Sequence, residues 1–311
     1  MSEPIGVDRK KLVNILKSIE NEYGTGSIFT LDSAKANTQI ARWSTGLEDL
    51  DAIIGGGIPY GRFVEIYGAE SAGKTTLAYH LLAQHPVAVN IPIEGTFDAE
   101  RAKIFGNKKG QLLVRRAEYA EQCLEFIDLM SQAGAPLIVI DSVPSMITKD
   151  EFKEDDYEKE GRRSQLASLL SKKLPKLVSK CEASGTTVIF INQARDNMNA
   201  GLFGPQIHTP GGRALKHYCS LRIQVNRMSF IEIPNKNPAN SSQKEIVGAI
   251  MKVKIEKSKI SNPKGECTLA VIFEKGFVPV DDVPQIRKEL MRERNARYKK
   301  LKNKDVDDDD E

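Results

Sequence analysis

Phe63-Val64-Glu65-Ile66-Tyr67-Gly68-Ala69-Glu70-Ser71-Ala72-Gly73-Lys74-Thr75-Thr76 is the stretch that decides the fold. Phe63 to Tyr67 reads as a buried strand, and a helix opens near Lys74. Between them, Gly68 to Thr75 fits G-x-x-x-x-G-K-[ST], the Walker A loop. Its glycines let the backbone curl so that N–H groups face phosphate oxygens, and the helix N-terminus adds its positive dipole end. Lys74 can reach the β- and γ-phosphates of a nucleotide, and the Thr75 hydroxyl can take Mg²⁺. The strand before the loop and the helix after it are the context this motif requires.

Working outward, Leu137-Ile138-Val139-Ile140-Asp141-Ser142 is an apolar strand ending in a carboxylate. Ligands of open α/β sheets bind at the carboxyl ends of strands. Asp141 is thereby placed to hold Mg²⁺ through water. Glu94 follows another strand, Pro86 to Ile93, and is the candidate to act on the attacking water. Glu70 is the lesser candidate, since a side chain inside the Walker loop faces solvent. Gln193 follows the strand Thr187 to Ile191 after Asn192, where a neutral amide can sense a γ-phosphate by hydrogen bonding.

The rest of the chain continues the alternation. Leu112–Arg115 reads as a strand. Ala120–Ala133 reads as an amphipathic helix and Arg163–Lys180 as a helix that Pro175 should kink or divide. Strands are expected near Ser220–Val225, Ala249–Ile255 and Leu269–Phe273. Alternating strands and helices argue an α/β fold with a mostly parallel sheet, and the later strand-only part argues an antiparallel extension. Ahead of the core, Leu12, Ile15, Leu16 and Ile19 give Asp8–Tyr23 a helical period, ended by Gly24 and Gly26. Ser27–Leu31 reads as a short strand. This arm has too few apolar residues to be a domain by itself.

The chain has 311 residues, enough for one substantial core domain plus small appendages. A net charge of +3 does not announce a nucleic-acid binder, so the position of the charges matters more than their sum. No apolar run is long enough for a membrane span, and MSEPIGVDRKK lacks the apolar stretch of a secretion signal. The expected location is cytoplasmic. Cys123, Cys181, Cys219 and Cys267 lack CxxC spacing and read as reduced, partly buried thiols rather than a zinc site. Asp150–Gly161, with seven acids and two lysines, and the Gly-, Asn- and Pro-rich Arg195–Gly212 read as loops of the length that carries function.

Several motifs in order resemble the bacterial RecA recombinase family. They are Ser44-Thr45-Gly46, Gly57-Ile58-Pro59, Gly61 to Gly68 with the Walker loop, Val139 to Val143, Phe190-Ile191-Asn192-Gln193, Gly211 to Lys216 and Lys257-Ser258-Lys259-Ile260. The likeness runs from about residue 11 to 278. It implies a RecA-like P-loop ATPase core at 36–278, preceded by a helix-and-strand polymerisation arm at 1–35 and followed by a tail at 279–311. It implies ATP and Mg²⁺ as cofactors, held by Gly68, Ala69, Glu70, Ser71, Ala72, Gly73, Lys74, Thr75, Thr76, Asp98, Arg101 and Asp141. Glu94, Lys74, Gln193, Lys257 and Lys259 would be catalytic, the last two reaching a neighbouring subunit's ATP. Two DNA loops are implied, about 150–163 and 194–212. Arg162, Arg163, Lys172, Arg195, Met198, Asn199, Gly211, Gly212 and Arg213 would contact DNA. The implied partners are single-stranded and duplex DNA, further copies of the chain in a helical filament, and single-strand-binding and mediator proteins. A head-to-tail contact that does not close generates such a filament, and an arm too small to fold alone suits docking on a neighbour.

The sequence also departs from the family. Arg101 stands at the adenine-stacking tyrosine, and a guanidinium can stack on a base as well. The first DNA loop is acidic, and Ser168 replaces an expected arginine, for which Arg162 and Arg163 can compensate. His217 stands at an interface aromatic. About 33 residues follow Val278, too few for the usual C-terminal domain. A basic helix, Gln285–Lys302, and the acidic Asp305–Glu311 are expected there, the helix suited to duplex phosphates. The expected function is ATP-dependent homologous pairing and strand exchange. A hexameric helicase-type motor and a recombination mediator or regulator are the alternatives.

Overall fold

The computed structural model describes residues 8–24, 28, 40–95, 97–105, 111–153, 162–196, 207–234, 244–261 and 265–307. The chain divides into two compact units, 1–41 and 42–311. In the first, α1 (Arg9–Tyr23) starts at Asp8, whose carboxylate accepts from Lys10 N and Lys11 N, and it stops at Gly24 with φ 92°. Such a cap satisfies N–H groups that the first turn leaves unpaired. Gly26 and, apart from Ile28, the expected strand at 27–31 lie outside the described residues.

The second unit opens with β1 (Arg42–Trp43), α2 (Glu48–Ile54) and β2 (Ile58–Pro59), the two short strands pairing antiparallel. The main sheet and its helices follow: β3 (Phe63–Gly68), α3 (Lys74–Leu82), β4 (Val87–Pro92), α4 (Ala99–Ile104), β5 (Gln111–Val114), α5 (Ala120–Gln132) and β6 (Leu137–Asp141). Next come α6 (Lys149–Lys153), α7 (Arg162–Ser184), β7 (Thr187–Gln193), the two-residue strands β8 (Arg195–Asp196) and β9 (Ile207–His208), and α8 (Gly212–Tyr218). The chain then runs through β10 (Cys219–Pro234), β11 (Lys244–Ser258), β12 (Glu266–Ile272), β13 (Gly276–Val278) and α9 (Val283–Asp307).

Nine strands form one sheet in the order β5-β4-β6-β7-β3-β10-β11-β12-β13. The six from β5 to β10 are parallel, and β11, β12 and β13 continue antiparallel. Parallel strands covered on both faces should be apolar throughout, and β3, β6 and β7 are buried along nearly their whole length. Alternate residues feed two cores. Val64, Ile66, Ile189 and Ile191 pack with Leu77 and Leu81 of α3 on one face. Phe63, Phe190, Ile138 and Ile140 pack with Ile127 of α5 and Leu170 and Leu174 of α7 on the other.

Pro175 does not divide α7, which runs unbroken for 23 residues from Arg162 to Ser184. Leu170, Leu174, Leu177 and Cys181, spaced at three and four residues, are all buried against the sheet. That stripe holds the turns on both sides of the proline in one helix, which outweighs the one backbone bond the ring removes. The antiparallel strands are longer than sequence patterning suggests: β10 and β11 have 16 and 15 residues. Their outer ends face α9, where Ile231, Ile233 and Ile272 meet Val283 and Leu290. The C-terminal helix begins at Val283, two residues ahead of the expected start, with Pro284 in its first turn. Arg294 of α9 pairs with Glu245 and Glu274, and Arg287 donates to Glu232 O. Part of the helix's positive charge is thus used inside the molecule. Among the described residues no helix is long and apolar enough to cross a membrane.

Candidate active site

The carboxyl ends of β3, β7, β6 and β4 open onto one cleft of about 680 Å³. The register sets them side by side. Gly68 pairs with Gln193 across β3 and β7, and Pro92 with Asp141 across β4 and β6. Ala194 N donates to Gly68 O, and Ile93 N to Asp141 O. Glu94, Asp141, Gln193 and the Walker loop therefore share one sheet edge although they are far apart in the chain.

Gly73 caps α3 with φ 96°, and a Cβ there would lie 2.1 Å from Met251 Sδ. Only glycine fits both the backbone and the space. Lys74 is buried, with Nζ donating to Ala69 O at 2.6 Å. Burial pulls its pKa below the usual lysine range, against the opposing pull of Asp141, Glu94 and Glu70. Thr75 Oγ1 donates to Asp141 Oδ2 at 2.7 Å. Burial raises the Asp141 pKa above the usual carboxylate range; the Thr75 hydrogen bond opposes this, Glu94 adds to it and Lys74 counters it. A hydroxyl oxygen beside a carboxylate oxygen is the hard, sparse donor set that suits Mg²⁺, which keeps several waters of its own. Glu94 Oε1 accepts from Ser142 Oγ at 2.5 Å and from Ser145 Oγ at 3.2 Å.

Asp98 lies farther along the cleft and caps α4 by accepting from Arg101 N at 2.9 Å. Arg101 Nη2 donates to Thr76 Oγ1 at 3.0 Å, and its guanidinium lies 6.0 Å from the Phe273 ring centroid. Glu70, Ser71 and Ala72 also line the cleft, while Gly68 ends β3.

Sequence reasoning gave no role to Ser142, Ser145, Arg227, Phe230 or Phe273. Ser142 was within reach, since it directly follows Asp141. Arg227 had no local signal. It stands on β10 and crosses to the Walker loop, donating to Ser71 O at 3.0 Å and lying 4.2 Å over the Phe230 ring. Ser71 holds φ 55°, uncommon for a residue with a side chain.

Lys257 and Lys259 are not in the cleft. Lys257 Nζ donates to Lys216 O and His217 O, and Lys259 Nζ donates to His217 O at 2.7 Å. Two ammonium groups thus cap the negative end of α8. His217 packs edge-on against Tyr218.

Several of the expected DNA-facing residues lie on α7 and α8, which pack together. Gly211 and Gly212 open α8, and a Cβ on Gly212 would meet Ala167 of α7 at 2.8 Å. Arg162 and Arg163 start α7, and Lys172 is exposed farther along it. Arg213 is exposed, and Arg195 is exposed in β8, opposite His208. Met198 and Asn199 lie outside the described residues, as do 154–161 of the first loop.

Fold and site together define an α/β P-loop protein with a RecA-like core. Residues 10–278 match the family described as RecA N-terminal domain. Protein RecA of Mycoplasma mobile is 35% identical over 287 residues, covering 90% of this chain and 83% of its own. Protein RecA of Thermus aquaticus is 37% identical over 286 residues, 89% and 80% of the two chains. Protein RecA of Aquifex aeolicus is 34% identical over 296 residues, 93% and 82% of the two chains. The chain belongs to the RecA family.

Proposed function

We propose that the protein is an ATP-dependent recombinase that assembles on single-stranded DNA as a helical filament and pairs it with homologous duplex. The observation that carries this reading is the shared sheet edge: Lys74, Thr75, Asp141 and Glu94 meet there beside Gln193, whose strand leads directly into the 194–212 segment. In this reading the Walker-loop amides and Lys74 bind the nucleotide's phosphates, and Asp98 and Arg101 flank its base. Thr75 and, through water, Asp141 hold Mg²⁺, which when bound supplies charge neutralisation at the phosphates. Glu94, oriented by Ser142 and Ser145, takes a proton from the attacking water. Gln193 hydrogen-bonds the terminal phosphate and orders the segment beyond it. Arg162, Arg163, Lys172, Arg195, Met198, Asn199, Gly211, Gly212 and Arg213 meet the DNA backbone, leaving bases free to pair. Lys257 and Lys259 leave the α8 terminus to stabilise charge at a neighbour's nucleotide, as a trans-acting arginine does. Hydrolysis then releases DNA.

Electron microscopy with single-stranded DNA and a slowly hydrolysed ATP analogue tests this. Extended helical filaments are expected, whereas closed rings or unassembled protein would overturn the reading. In DNA-stimulated ATPase assays Lys74→Ala should lose nucleotide binding or turnover. Glu94→Gln should keep filaments and barely hydrolyse.

A further inference from the structure

Asn192 is wholly buried, and each polar atom of its carboxamide is engaged. Nδ2 donates to Glu65 Oε1 at 2.8 Å and to Pro210 O at 2.9 Å, while Oδ1 accepts from Gln193 N at 2.9 Å. These partners belong to three segments. Glu65 lies on β3, three residues before the Walker loop. Gln193 lines the cleft. Pro210 precedes the Gly211–Gly212 turn into α8. Glu65 is itself wholly buried and is fixed by Arg222 Nε of β10 at 2.5 Å.

The chemistry at this junction admits few alternatives. A carboxamide alone offers two N–H donors and an acceptor at one branch point. An aspartate would lack both donors and would face the Glu65 carboxylate. An aliphatic side chain would leave Glu65 Oε1 and Pro210 O short of a donor in a dry interior. Asparagine is also disfavoured in strands, and its neighbours Thr187 to Ile191 are all buried. Local preference does not account for an asparagine here, whereas its three links do.

We propose that Asn192 is a positioning residue that ties Gln193, at the nucleotide cleft, to the Pro210–Gly211 turn beside the DNA-facing surface, with the buried Glu65 as the acceptor that steadies its amide. This rests on the reading above, that 194–212 faces DNA and Gln193 faces the nucleotide. Hydrogen-bond networks carry coupling between sites when both ends bias the same element. Here the path is short: one peptide unit from Gln193 to Asn192, then one hydrogen bond to Pro210. Movement of Gln193 toward a terminal phosphate would pull on Asn192 Oδ1 and, through the same rigid amide plane, on Pro210.

The test uses the full chain with Asn192→Asp, Asn192→Ser and Glu65→Gln. Glu65→Gln keeps an oxygen acceptor for Asn192. Nucleotide affinity is read with a fluorescent ATP analogue, and turnover is read with and without a single-stranded oligonucleotide. Hydrogen exchange of residues 207–218 is followed with and without a non-hydrolysable ATP analogue and Mg²⁺. Asn192→Asp and Asn192→Ser should keep nucleotide affinity and DNA-independent turnover, and lose DNA stimulation by about tenfold, within the range of site-to-site coupling. Glu65→Gln should keep stimulation. Nucleotide should slow exchange at 207–218 in the wild type but not in the Asn192 variants. Undiminished stimulation in a folded Asn192 variant would overturn the proposal. So would loss of nucleotide binding in step with stimulation, which marks a merely structural role. If the wild type itself shows no DNA stimulation, the recombinase reading fails instead, and the exchange experiment alone decides the role of Asn192: the same contrast supports it, and equal slowing in the variants overturns it. Should Asn192→Asp fail to fold, the smaller Asn192→Ser carries the comparison.

Discussion

Replacing Arg222 by leucine should destabilise the protein more than any surface charge deletion. The Glu65 side chain is 0% exposed and that of Arg222 14%, with Nε and Oε2 2.5 Å apart and the guanidinium 4.7 Å from the Tyr67 ring centroid. In Arg222→Leu, among the described residues, the Glu65 carboxylate keeps only the neutral Asn192 amide as a donor. Breaking a buried pair from one side costs about 3–5 kcal/mol, a large part of the ~5–15 kcal/mol that holds a typical domain together. Glu65→Gln should cost less, because the stranded Arg222 retains some contact with water. The double variant Glu65→Gln/Arg222→Leu buries no charge and keeps an acceptor for Asn192. It should recover most of the loss, since neutral replacements of buried pairs are often tolerated. Urea unfolding at neutral pH, with the denaturant dependence checked for constancy, gives the three values. A loss below about 1 kcal/mol for Arg222→Leu, the size expected of an exposed pair, would refute the reasoning. A double variant no more stable than Arg222→Leu would refute it equally.

Ser142→Ala removes the 2.5 Å hydrogen bond to Glu94 and should lower turnover about tenfold, short of the ~10²–10⁴-fold that a positioned base contributes because Ser145 still donates to Glu94, with nucleotide affinity unchanged; steady-state ATPase and equilibrium binding separate the two. His85 is buried against Trp43 with Nε2 unpartnered among the described residues, and burial lowers its pKa. The unfolded chain therefore binds the proton more readily, so stability should fall as pH drops below the unfolded value of about 6.5. His85→Phe should flatten that slope in melting experiments run from pH 7 to 5. Pro175→Ala restores a backbone donor inside α7 and should raise stability by about 1 kcal/mol or more, read by thermal melting; no gain would mean that the helix has already adapted to the proline.

The parts of this molecule that were legible in the sequence are those whose signal is local. The Walker loop, the apolar strand ending in Asp141 and the strand leading to Glu94 each carry their meaning within a few residues, and all lie at strand ends in the fold. Alternation of strands and helices sufficed for a parallel sheet, and the strand-only stretch from Ser220 to Phe273 sufficed for its antiparallel extension. Pro175 misled because a proline is a local rule, whereas the buried stripe from Leu170 to Cys181 is a tertiary one.

What stayed hidden depends on sheet order rather than chain order. β3 lies between β7 and β10, which come much later in the sequence, so its residues meet partners that no window contains. Glu65 meets Asn192 and Arg222 across 127 and 157 residues, and Ser71 meets Arg227 across 156. The two Glu65 contacts are ones that the parallel register makes obligatory once the strands are adjacent: a charge on an inner strand has no water to turn to, so β7 and β10 must supply its partners. A glutamate in an otherwise apolar strand is therefore a sequence signal in its own right. It announces that a neighbouring strand carries a cation and a donor, although it cannot say which strand, and here the hydrogen bonds run from β3 through Asn192 to the turn that opens α8.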